Sequence, residues 1–239
     1  MRVIPLTVAF AVLSSCQMTD PGSQVTTREE RLLLGRTVID DCVRSECGRL
    51  NLDSQLVEDY TPVAQMSHVT ALMTSYTNFS NLSDIAAMSQ LKELHIGVTQ
   101  VSDLSGLSNF PNLRLLHAQG LSVDDFSPIG QLRHLEELAI GANFVGDLSF
   151  VQELRSLKDL NLDGADVTSL AGLRNHPSIE RLDFVDATLP DDFSVLRSLP
   201  KLRQISVSEW PLNEDQKLVI DALRDTGVEV LVEALMIVC

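Results

Sequence analysis

Apolar residues at one fixed interval constrain this chain more than any other feature. Leu91, Leu113, Leu135, Leu157 and Ile179 stand 22 residues apart, and each opens the same apolar-x-x-apolar-x-apolar phrase: LKELHI, LRLLHA, LEELAI, LKDLNL and IERLDF. A repeat of this length is one supersecondary unit stacked on itself, because a single unit is too small to bury its apolar face alone. The pattern runs back to Val69 and Cys47. Forward, past one inserted residue, it reaches Leu202, so eight rungs open at 47, 69, 91, 113, 135, 157, 179 and 202.

The first half of each rung reads as a short strand. In the central rung Leu138 and Ile140 alternate inward while Glu137 and Ala139 point out. Successive strands are then expected to pair in parallel, and the second half must close the core from the opposite side with residues such as Val101, Leu104, Leu107 and Phe110. A capping residue recurs at the thirteenth position of the rung, as Asp59, Asp103, Asp125, Asp147 and Asp191, with Asn81 and Ser169 in the same slot. Each is expected to start a short helical turn by accepting an amide hydrogen bond. A calcium ladder is the alternative use of stacked carboxylates. Two neutral slots and the lack of a glycine-rich ligand loop argue against it.

These phrases, with their second halves Val101-Ser-Asp103-Leu104-Ser105-Gly-Leu107, Asp125-Phe-Ser-Pro-Ile129 and Asp147-Leu-Ser-Phe-Val151, resemble the leucine-rich repeat family in its 22-residue internalin class. The resemblance covers roughly residues 47–212. It implies an α/β fold, a right-handed solenoid with a parallel sheet on its concave face. It also implies a binding module, since such folds present a surface and not a pocket. One departure is plain. The family's asparagine at rung position nine is replaced by Gln55, Thr77, Thr99, Leu121, Ala165 and Ala187, and survives only as Asn143. The loop leaving each strand is therefore expected to differ from the family's.

Both ends need covers, because a terminal rung exposes core. Residues 27–46 are expected to form an N-terminal helical cap, opened by the Thr27/Glu30 capping box and burying Leu32, Leu33, Val38, Ile39, Cys42 and Val43. Repeats fill 47–212. Residues 213–239 form the C-terminal cap: a helix from Asn213/Gln216 burying Leu218, Val219, Ala222 and Leu223, a stop at Gly227, and a last strand at 228–232.

Residues 1–15 read as an address. Arg2 precedes an apolar stretch too short to span a bilayer, so it is expected to be a signal peptide. Its end, Leu13-Ser14-Ser15-Cys16, resembles the bacterial lipobox, which implies cleavage before Cys16 and a lipid on that thiol. Residues 16–26 are then the lipidated cysteine and a flexible tether. The expected location is the bacterial cell envelope, held by lipid, and Gln17 favours the outer membrane if the cell is Gram-negative. In an oxidising compartment Cys42 and Cys47 are either a small disulfide loop or two buried thiols. Cys239 has no evident partner.

The formal net charge of −15 argues against nucleic acid or anionic lipid headgroups as partners. It suits simple solubility or a partner with a basic surface. No nucleophile elbow, phosphate loop or HExxH motif occurs, so no catalytic residue, metal or cofactor is assigned. The candidate site is the outward face of the strand ladder, with Met73, Glu93, His95, Leu115, His117, Glu137, Asp159 and Asp183 as binding residues for a protein or peptide. Met73, Leu115 and Ala139 are apolar where solvent is expected. His95 and His117 fall one rung apart. Two alternatives stay open: an envelope enzyme or metal-binding protein using His95, His117 and nearby carboxylates, or a passive structural lipoprotein. His176, in a slot otherwise filled by Phe110, Leu132 and Leu154, is expected to be an edge or locally satisfied histidine.

Overall fold

A column of leucines runs through the centre of the molecule. In the computed structural model, which describes residues 27–208 and 212–233, Leu72, Leu94, Leu116, Leu138, Leu160 and Leu182 sit in direct register on neighbouring parallel strands. All are 0–1% exposed. The strands are β1 (Arg49–Asn51), β2 (Ala71–Met73), β3 (Glu93–His95), β4 (Leu115–His117), β5 (Glu137–Ala139), β6 (Phe144–Asp147), β7 (Asp159–Asn161), β8 (Asp166–Ser169), β9 (Arg181–Phe184), β10 (Gln204–Ser208) and β11 (Glu229–Glu233). Nine of them form one parallel sheet in the order β1-β2-β3-β4-β5-β7-β9-β10-β11. Eight belong to the repeats and the ninth to the C-terminal cap. The inward leucines of one face and the apolar residues of the return segments make a single core, each side chain gaining about 1.5–3 kcal/mol from burial.

The corner after the strand is built the same way in the first seven rungs. The residue eight places into the rung is left-handed throughout: Ser54, Tyr76, Val98, Gly120, Ala142, Gly164 and Asp186 have φ between 52° and 67°. From Ser54 to Gly164 its amide donates to the carbonyl one place earlier in the next rung, at 2.7–3.0 Å. The corner is thus held by backbone and does not depend on an asparagine in each rung. Asn143 still bonds across rungs, accepting from the Leu121 amide and donating to the Ala118 and Ile140 carbonyls. Thr77 and Thr99 replace it locally, donating to the Thr74 and Ile96 carbonyls at 2.6 and 2.7 Å. A hydroxyl two residues before the return segment suffices because the backbone ladder carries the corner.

The convex side holds the expected short turns. Asp59 caps α2 (Thr61–Ala64). Asn81, Asp103, Asp125, Asp147 and Ser169 each accept from the amide two residues on, at the head of a 3-10 turn. The hydroxyls and then the amides of Thr61, Ser127 and Ser149 hold the Asp59, Asp125 and Asp147 carboxyls below the usual range, and the amide and then the hydroxyl of Ser105 do the same for Asp103. One assignment is corrected. In the rung with the inserted residue the cap is Asp192, not Asp191, and Asp191 instead accepts from the Asn213 side chain of the C-terminal cap. The sequence pattern also missed a second, two-stranded parallel sheet, β6 with β8, continued by a bridge from Asp166 to Thr188.

Helix α1 (Arg28–Ser45) closes the first rung. Thr27 and Glu30 make both bonds of the capping box. Its buried face is Leu32, Gly35, Ile39 and Cys42, whereas Leu33 and Val43 are exposed. The expected face was therefore rotated: Gly35 belongs to it because an added Cβ there would lie 2.4 Å from the Leu56 carbonyl oxygen. Arg31 reaches from α1 to donate to the Ser54 and Tyr76 carbonyls, joining the helix to the first corners. Cys42 and Cys47 are joined by a disulfide at the helix end. At the other end α3 (Glu214–Asp225) has the Asn213/Gln216 capping box and buries Gln216, Val219, Ile220 and Leu223. Leu218, expected inside, faces solvent. Cys16, the signal segment, Cys239 and the tether lie outside the described residues. No described helix is long and apolar enough to cross a membrane.

Candidate binding face

Parallel pairing places equivalent residues of successive rungs side by side, so the concave face is a set of rows. One row reads Arg49, Ala71, Glu93, Leu115, Glu137, Asp159, Arg181 and Gln204; the next reads Asn51, Met73, His95, His117, Ala139, Asn161, Asp183 and Ser206. All eight candidate binding residues fall on these two rows.

A connected polar track crosses the first five rungs. Ala71 is small enough for the Arg49 guanidinium to pass over it and bind Glu93 with two contacts, at 2.5 and 2.8 Å. Glu93 also accepts from His95 Nε2 at 2.8 Å. Chiefly through the Arg49 contact, the Glu93 carboxyl is held below its usual range, against the opposing effect of burial. His95 meets His117 edge to face, with ring centroids 4.4 Å apart, a favoured geometry for aromatic pairs. His117 Nε2 then donates to Glu137 Oε1 at 2.8 Å. In each imidazole the nitrogen facing the carboxylate carries the proton.

Beyond Glu137 the track continues as separate pairs. Asp159 accepts from Arg181 Nε at 2.7 Å. Burial raises its pKa, Arg181 opposes that, and neighbouring Glu137 adds to it. Asp183 accepts from the Ser206 hydroxyl at 2.7 Å.

Two of the expected apolar contacts are absent from the surface. Met73 is 7% exposed because Arg49, on its way to Glu93, covers it and donates to its sulfur at 3.6 Å. Ala139 is 5% exposed between larger neighbours. Leu115 stays partly open between Glu93 and Glu137. Rung register puts Arg49 and Glu93 two rungs apart but does not show that the guanidinium spans that gap, so Met73 looked free.

The donors on this face are used in pairs. Among the described residues no group of three or more His, Cys, Asp or Glu side chains is placed to hold one metal ion. Asn161 and Asp163 mark the far edge, where the Asp163 carboxylate accepts from the Val185 amide and the Asn161 amide. His176 lies far from this face in the chain's return segments. It is 2% exposed, and neither ring nitrogen makes a hydrogen bond. It is thus a buried histidine in a slot for aliphatics, neither at an edge nor satisfied. Burial holds its pKa below the usual value; the Val151 and Leu154 carbonyls pull the other way without closing a hydrogen bond, and Arg155 adds to the depression.

No protein-family model matches the chain, and no curated protein matches it in sequence. Solved structures do. The internalin inlF of Listeria monocytogenes superimposes with a TM-score of 0.64 at 23% identity, over 77% of this chain and 52% of that one. Internalin C2 of the same organism gives 0.69 at 16% identity, over 84% and 90%. A leucine-rich repeat protein of Leptospira interrogans gives 0.60 at 18% identity, over 71% and 44%. The chain thus spans about half of the inlF chain. At these identities the likeness shows the fold, a leucine-rich-repeat solenoid with a parallel sheet on its concave face.

Proposed function

We propose that this chain is a cell-envelope binding module that offers its concave face to a protein or peptide and is held to the membrane by lipid on Cys16. The track Arg49–Glu93–His95–His117–Glu137 carries the reading. It is a pre-formed, half-exposed polar surface on a rigid sheet, with Leu115 as an apolar contact inside it. Rigid placement of polar groups lowers the ordering cost of association. Nine strands at sheet spacing span roughly 40 Å, enough for an ordinary protein interface of about 800 Å² per partner. The face is open along its length, and its imidazoles and carboxylates are engaged with one another. An open face without an enclosing pocket favours recognition of a partner's surface over enclosure of a small substrate.

The test is photo-crosslinking in intact cells, with a photoreactive residue at position 115 or at Ser105 on the convex side. Discrete adducts at 115 and none at 105 are expected. Equal adducts at both, or none at 115, would refute a concave binding face. For the anchor, Cys16→Ala is expected to move the protein from the membrane fraction to the soluble one. Unchanged fractionation would remove the lipid from the account.

A further inference from the structure

Among the described residues of the repeats, the exposed large hydrophobic side chains are Tyr76, Val98 and Phe144, at 62%, 45% and 67% exposure. All three stand on one flank, where the chain leaves the concave strands. Tyr76 and Val98 occupy the left-handed corner position in consecutive rungs, with φ of 60° and 52°. Val98 lies toward the next corner, where a Cβ added to Gly120 would meet its Cγ2 at 3.3 Å. Phe144 opens β6 on the same flank, two residues past the corner of its rung. An L residue in this conformation is strained, a β-branched one most of all, and glycine adopts it freely. Gly120 and Gly164 do so here. Folding therefore gives no reason for a tyrosine and a valine at two such corners with their side chains in water.

Charge on this flank is predominantly negative, with Arg31 of α1 bringing one guanidinium to the Ser54 and Tyr76 carbonyls. Residues 53–59, 75–81, 97–103, 119–125, 141–147, 163–169 and 185–191 contain no Lys, Arg or His, while carboxylates recur at Asp53, Asp124, Asp163, Asp166 and Asp186. The opposite rim, before the strands, is balanced: Glu136 binds both Arg114 and Lys158, and Glu180 binds Arg203.

We infer that this flank is a second interaction surface, distinct from the concave face, which takes a basic protein segment whose apolar side chains pack on Tyr76, Val98 and Phe144. The charge selects the occupant. The excess of carboxylates repels a second copy of this acidic chain and an anionic membrane, and it attracts Lys and Arg. The three apolar side chains supply contact area that charge alone does not.

The test titrates the purified full chain with a synthetic peptide alternating arginine with leucine and phenylalanine. A control peptide has serine at every apolar position. The proteins are the wild type, the double variant Tyr76→Gly/Val98→Gly, and the concave variant Leu115→Asp. Glycine suits the corner backbone, so the double variant keeps the wild-type melting temperature. The apolar-basic peptide binds the wild type and Leu115→Asp alike, at least tenfold more weakly to the double variant, and more weakly as salt rises. Equal binding of the serine peptide, undiminished binding by the double variant, or dimers of the wild type broken by the double substitution would overturn the proposal. Loss of crosslinking at position 115 with this binding intact would bear on the concave face alone.

Discussion

Replacing Leu138 with aspartate is expected to abolish the cooperative melting of the whole repeat array. Leu138 is fully buried, in register with Leu116 on one side and Leu160 on the other. The substitution removes the transfer free energy of a leucine and leaves a carboxylate with no partner in the core. Together these cost on the order of 5 kcal/mol or more, comparable with the total stability of a typical domain. In a solenoid each rung is stabilised mainly by its two neighbours, so a failed central rung uncouples the halves. Far-ultraviolet circular dichroism is expected to show either an unfolded chain or two broad transitions in place of one. A single transition at the wild-type temperature would mean that this column is not the core. Glu137→Ala, one residue away on the outward face, is the control and is expected to shift melting by no more than about 0.5 kcal/mol.

His176→Leu is expected to stabilise the protein. The slot it occupies in the other rungs holds Met88, Phe110, Leu132 and Leu154, all buried. Its two ring nitrogens are buried without hydrogen bonds, which costs about 1–3 kcal/mol for an unsatisfied polar group. Leucine removes that cost and fits the site, so melting should rise by a few degrees. The gain depends on pH in a definite direction. Because the folded pKa of His176 lies below its unfolded value of about 6.5, the unfolded chain takes up a proton first. Wild-type stability is therefore full above about pH 6.5 and declines as pH falls toward the folded pKa. The difference between variant and wild type should widen over that window. The other histidines are common to both proteins and cancel in the difference. A gap that stays constant from pH 7 to pH 5, or a destabilised variant, would show that His176 is satisfied after all.

The features that period and polarity determine were legible in the sequence. The leucine column, the parallel strands, the aspartate caps and both capping boxes each follow from one residue type at one interval. Features that depend on how far and in which direction a side chain reaches across rungs were not. Arg49 covers Met73 because it pairs with Glu93 two rungs away, across Ala71, and no local pattern signals that reach. The inserted residue moved a cap from Asp191 to Asp192, an ambiguity between adjacent aspartates that only the backbone resolves. Leu33 and Leu218 were placed inside by hydrophobicity, yet the close approach at Gly35 and the buried Gln216 cap set the true faces of the two helices. The His95–His117 contact was legible, because 22 residues separate the two imidazoles. Their separate carboxylate partners were half legible: Glu93 is two residues from His95 on the same strand, but Glu137 reaches His117 from the next rung. The strained corners at Tyr76 and Val98 carry no signal of their own, since nothing in their residue type suggests a left-handed backbone.

The most direct measurement is a set of distances along the concave face. Spin labels at position 51 and at 139, 183 or 206 in turn would be read by pulsed electron paramagnetic resonance. These sites lie four, six and seven rungs from the first in one row. Narrow distributions rising by about 4.8 Å per rung, to roughly 19, 29 and 34 Å before curvature and label length, are the outcome that stacked parallel rungs require. Distances that are broad, or that fail to grow with rung number, would contradict the solenoid and with it both binding surfaces.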